Sequence, residues 1–146
     1  MWSIVFVAAL AVMGLGAALA QPASCTKTDF EAVVDQASAA LQGLNQTNKP
    51  AFQDKLRQLR EKRGWSHDQF LREAVPFVQD ENIAEFDQKS ADFLDKINAM
   101  GQDGGAARAP DCNLLHDLRA TMQALVDAQT AKWTYMFEKL ERELGK

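Results

Sequence analysis

The chain is expected to be all-α, a small helical bundle of four to five helices with a long C-terminal helix and one disulfide. Three observations predict this. Apolar residues recur at helical spacing from Phe30 to Leu144, with no alternating strand-like run. Capping signatures and Pro/Gly punctuation divide that stretch into segments. The two cysteines, Cys25 and Cys112, stand at the starts of the first and last segments.

The elements follow in chain order. MWSIVFVAALAVMGLGAALA, residues 1–20, carries no charge and ends in Ala18-Leu19-Ala20. It reads as a secretory signal peptide cut between Ala20 and Gln21, although its short n-region has no Lys or Arg. The alternative is an uncleaved anchor, because residues 2–20 approach bilayer-spanning length. Residues 21–27 then form a short N-terminal segment, and 28–146 a single helical domain large enough for one core. The expected location is periplasmic or secreted.

A first helix is predicted from Thr28, with Thr28-Asp29-Phe30-Glu31 as a capping box, ending near Leu44-Asn45. Its stripe is Phe30, Val33, Val34, Ala37, Leu41 and Leu44. A second runs from Pro50, suited to a first helical turn, to Arg63, with Gly64 as the residue that ends it. A third is capped by Ser66-His67-Asp68-Gln69 and carries Phe70, Leu71, Ala74, Phe77 and Val78, with Pro76 ending or kinking it. A fourth starts after an Asp80 cap and runs to Met100 on Ile83, Phe86, Phe93, Leu94, Ile97 and Met100. GQDGGAARAP, residues 101–110, reads as a loop. The fifth, about 111–144, keeps its helical period throughout, with Gln129 as the polar break. At 1.5 Å per residue it is roughly 50 Å long, against about 25 Å for the first, so its far half needs another partner: the middle segments or a second copy of the chain.

Four roles compete for Cys25. Metal binding finds no ligand spacing among two cysteines and the two histidines, His67 and His116. A catalytic thiol needs an adjacent base, and His116, four residues after Cys112, is the one candidate. A lipidated cysteine needs the Leu-x-x-Cys pattern of bacterial lipoproteins, but Pro22 occupies the Leu position. A Cys25–Cys112 disulfide suits an exported chain with two cysteines. Bridged Cα atoms lie within about 7 Å, so the starts of the first and last helices must meet. In an alternating bundle that requires an odd number of helices between them, hence a real break, a reversal or a sideways crossing between the third and fourth near Pro76–Asp80.

Charge is uneven. Residues 49–63 hold six Lys/Arg against two Asp/Glu, a net of +4, and residues 80–96 hold six Asp/Glu against two Lys, a net of −4. Either these flanks are solvated or complement each other, or the basic one docks an anionic partner. Arg57, Arg60 and Arg63, with an exposed Tyr135, are the candidate interaction surface. The overall charge of −4 argues against nucleic acid. No catalytic, cofactor or metal site is expected: the chain has no nucleophile elbow, no H-E-x-x-H and no E-x-x-H pair.

Arg57, Arg60, Arg63 and Arg72 make the chain similar in class to secreted helical chorismate mutases. That resemblance implies a small enzyme holding a dianion, but the family's Lys…Asp-x-x-Arg-Glu pattern is not matched. The chain is also similar in broad type to small disulfide-linked periplasmic acid-stress chaperones. The expected role is a non-catalytic protein interaction, as chaperone, inhibitor or envelope adaptor, with another protein or a second copy as partner. A membrane enters only if the signal stays or Cys25 is lipidated. The alternatives are a bundle binding a small apolar ligand, and the enzyme just described.

Overall fold

The computed structural model describes residues 25–146. The expected signal segment and its expected Ala20–Gln21 cleavage point lie outside the described residues. Three long helices, α1 (Lys27–Arg63), α4 (Glu81–Ala106) and α5 (Cys112–Leu144), form the bundle. Two short ones, α2 (His67–Glu73) and α3 (Val75–Val78), form a strap joining α1 to α4. No strand occurs among the described residues.

The most consequential difference from expectation is α1. The two predicted helices are one, and Pro50 lies inside it. A proline in a helix interior costs about 3 kcal/mol. Beyond it, however, Phe52, Leu56 and Leu59 are buried, each worth about 1.5–3 kcal/mol. Those residues reach their partners on α5 only if α1 continues in line, so burial outweighs the lost bond. Pro50 is exposed, so the Gln46 carbonyl it leaves unpaired faces water. At 37 residues α1 spans about 55 Å, which answers the length of α5. The far half of α5 therefore packs within its own chain.

The first cap also moves. Thr26, not Thr28, is the N-cap: its hydroxyl accepts from Asp29 N–H, and the Asp29 carboxylate accepts from Thr26 N–H at 2.6 Å. The acid three residues on is the partner a capping box needs, so the helix begins directly after Cys25. Gly64 ends α1 with φ +64°, a left-handed conformation open to glycine at little cost. Ser66 caps α2 through Gln69, Asp80 caps α4 by accepting from Ile83 N–H at 2.8 Å, and Asp111 caps α5.

The expected loop 101–110 is helical as far as Ala106. Gly104 explains part of this: a Cβ there would stand 3.4 Å from both Phe30 and Leu114. Its absence lets α4 close against the starts of α1 and α5, and that packing offsets the poor helix propensity of glycine.

Cys25 and Cys112 form the disulfide, with Cα atoms 5.4 Å apart. The starts of α1 and α5 therefore meet. Their ends meet too, where Arg63 pairs with Glu143 at 3.0 Å and Lys62 donates to the Leu144 carbonyl. The two helices run parallel, with α4 antiparallel to α5. The break at Ala74–Pro76 and the turn at Gln79–Asp80 supply the reversal that parity requires. One long helix, not three, intervenes between α1 and α5, and the count stays odd.

Two apolar clusters fill the bundle. Val33, Ala37, Leu115, Leu118 and Met122 pack beside the disulfide. Phe52, Leu56, Leu59, Phe77, Ile83, Met136 and Leu140 pack at the strap end. There Phe52 meets Trp133 and Phe137 edge-on, with ring centroids 5.9 and 5.4 Å apart. Between the clusters lies a polar layer. Buried Ser90 accepts from Gln129 at 2.7 Å and donates to the Phe86 carbonyl, and the Trp133 indole N–H donates to Asn45.

Candidate interaction surface

The strap end collects the residues singled out from the sequence. Phe70, Ala74 and Phe77 turn inward, and Trp65 closes the corner after Gly64. Lys139 of α5 fastens the strap: its ammonium donates to the Pro76 carbonyl at 2.5 Å and pairs with the Asp80 carboxylate. The Tyr135 hydroxyl donates to the same carboxylate at 2.8 Å and accepts from the Asn82 amide at 2.9 Å.

Asp80 thus gathers a helix cap, an ion pair and a phenol. Burial on its own would raise its pKa. The Lys139 hydrogen bond, the Ile83 N–H and the Tyr135 hydroxyl together outweigh burial and hold it down at about 2. Tyr135, expected to be exposed, is half-buried in this network.

The three arginines do not converge. Arg57 pairs with Asp54 on its own helix. Arg60 donates to the Trp65 carbonyl at 3.3 Å and lies over the Phe70 ring at 5.6 Å. Arg63 is taken by Glu143. Arg72 is exposed on the strap. The opposite flanks 49–63 and 80–96 do not neutralise each other either. Lys55 and Arg63 pair with Glu141 and Glu143, while Asp80 and Asp87 pair with Lys139 and Lys132. The final helix is acidic toward α1 and basic toward α4. It meets each flank with the opposite sign.

The sequence stripes were read as buried, but part of the first, third and fourth is not. Leu71, Val75 and Val78 are 57%, 44% and 45% exposed, and Val34 and Leu94 are exposed as well. The signal for this was present in FLREAVPFV: six apolar residues within nine wrap more than one face of a short helix. The inward arc takes Phe70, Ala74 and Phe77. Leu71, Val75 and Val78, at i, i+4 and i+7, are left on the flank as a strip.

Among the described residues no three His, Cys, Asp or Glu side chains gather closely enough to hold a metal ion. His67 and His116 are exposed, and Cys112 is in the disulfide. No helix among the described residues is long and apolar enough to cross a membrane. No protein-family model, no curated protein and no solved structure matches the chain. The geometry defines a disulfide-clamped three-helix bundle with a strapped end.

Proposed function

We propose that the chain is an exported, non-catalytic helical protein that acts by binding another protein, as a chaperone, inhibitor or envelope adaptor. The observation that carries this reading is the strip Leu71, Val75 and Val78. Three large apolar side chains lie in water on a strap that is itself locked to the bundle by Lys139 and Asp80. Exposed apolar surface on a rigid element is the usual mark of a partner site. The signal-like residues 1–20 and the disulfide support export, since disulfides persist in oxidising compartments.

A photo-cross-linking residue placed at Leu71 in the producing cell tests it, with one at exposed Glu138 on α5 as control. The expected result is an adduct with a second protein at Leu71 and none at Glu138. No adduct at either position overturns the reading.

A further inference from the structure

The strip does not end at Val78. It opens into a groove of about 360 Å³ along the flank of α4, lined by Val78, Ile83, Ala84 and Ala91 and equally by the polar Gln79, Asp80, Asp87 and Gln88. Leu94, 48% exposed, lies one turn beyond Ala91 and continues it. Of the five exposed large apolar side chains of the described chain, Val78 lines this groove, Leu71 and Val75 precede it on the strap, and Leu94 follows it on α4. From Ala84 to Leu94 the α4 part alone runs about 15 Å, some three helical turns.

The groove's own carboxylates are paired, but the outward side of α4 beside it is acidic. Asp80 and Asp87 are neutralised by Lys139 and Lys132. Glu81, Glu85, Asp92 and Asp95, all exposed on α4, form no ion pair among the described residues, although Asp92 accepts a hydrogen bond from the Gln88 amide at 2.9 Å. The two lysines of the same stretch, Lys89 and Lys96, lie over the Phe86 and Phe93 rings. A helix flank that exposes apolar side chains beside mostly acidic ones is complementary to one ligand shape: a helix with an apolar stripe flanked by cations.

We infer that the strap–α4 groove binds a cationic amphipathic helix of a partner protein. The inference deepens the interaction reading above and rests on it. A second copy of the chain fits poorly. Four of its five exposed large apolar residues lie on the same strap and acidic helix, so self-pairing there sets acid against acid. Its cationic stretch 49–63 has Phe52, Leu56 and Leu59 buried. An anionic lipid surface meets the same repulsion.

The test is fluorescence anisotropy of the mature protein with labelled peptides of about fourteen residues, four helical turns. One is a Leu/Lys amphipathic helix, one its Leu/Glu counterpart, and one a Lys/Ser peptide of equal charge without an apolar face. The Leu/Lys helix is expected to bind, and to weaken at least about tenfold between roughly 50 and 500 mM salt. Val78→Ser with Leu94→Ser should weaken it by a similar factor. Ala91→Trp, which fills the groove from an exposed position, should do the same, and Val34→Ser, on α1, should leave it unchanged. No binding, equal binding of the Lys/Ser or Leu/Glu peptide, or indifference to the groove variants overturns the assignment. So does a dimer in light scattering that Ala91→Trp dissociates, which would give the groove to a second copy. A cross-link at Leu71 without Leu/Lys binding leaves the interaction reading standing and removes only the cationic helix.

Discussion

Lys139 of α5 and Asp80, the cap of α4, form an ion pair at the point where the strap turns into the bundle. The same ammonium holds the Pro76 carbonyl, and the same carboxylate holds the Tyr135 hydroxyl. The contact is half-shielded, with side-chain exposures of 23% for Lys139 and 22% for Asp80. It is therefore screened less than a surface pair and contributes more. It fixes the strap that presents Leu71, Val75 and Val78.

Asp80→Asn keeps the helix cap but removes the charge. The folded-state pKa of Asp80 is about 2, against an ordinary 3.8. Between those values the unfolded chain binds more protons, so stability rises with pH there. The contribution is complete above the ordinary value and is lost as pH falls through the folded one. A shift of this size corresponds to about 2 kcal/mol. Urea unfolding should find the variant less stable by about that amount at pH 7, with the difference shrinking toward pH 2. A gap independent of pH would mean that the charge of Asp80 contributes nothing.

The Cys25–Cys112 bond closes a separation of 87 residues. Chain-entropy arithmetic for such a loop gives about 4–5 kcal/mol as an upper figure. The native protein should show no free thiol among these two cysteines, and reduction should lower the denaturation midpoint. The loss should concentrate at the Cys25 end. Hydrogen exchange should speed up around Val33, Ala37 and Leu118 before it does around Leu59 and Leu140, which the strap and the Arg63–Glu143 pair hold independently.

Most local signals in the sequence were reliable here. The Ser66 and Asp80 caps, Gly64, the bounds of α5 and the disulfide are readable because each is set by residues close in the chain or by a cysteine count of two. The first cap was misread within its own window, at Thr28 instead of Thr26; the rest of what could not be read is set by distant partners. Pro50 and Gly104 are penalties within their own windows, and their compensation comes from α5 and Phe30. The bond from Tyr135 to Asp80 spans 55 residues and leaves no periodic trace. The stripes showed which residues are apolar but not how wide a face the bundle covers, so Leu71, Val78 and Leu94 were misplaced inward. The exposed strip Leu71, Val75 and Val78 was missed for the same reason, since it consists of the excess.

The Ser90–Gln129 layer separates the two apolar clusters. Ser90 is 6% exposed and donates to the Phe86 carbonyl while accepting from Gln129. Gln129→Ala removes the donor and leaves space, and should cost about 1–3 kcal/mol. Replacing both partners by apolar groups, Ser90→Ala with Gln129→Met, should cost clearly less than the sum of the single changes. A double-mutant cycle by chemical denaturation reads the coupling, and strict additivity would show that the two side chains do not interact.

Pro50→Ala tests the feature on which the architecture turns. In two separate helices, with Pro50 in a first turn, its missing N–H has no partner to lose and alanine changes little. In one continuous α1 the alanine restores a bond to the Gln46 carbonyl and relieves the clash of the ring with the preceding turn. Pro50 is exposed, so no core contact is lost in exchange. Some of the gain is cancelled because alanine frees the unfolded chain that proline restrains. The expected outcome is a net stabilisation of about 1–3 kcal/mol, read as a rise in the urea midpoint at unchanged slope. An unchanged or lower midpoint would mean that α1 is interrupted at Pro50. The far half of α5 would then lose the continuous partner that lets Phe52, Leu56 and Leu59 reach Met136 and Leu140.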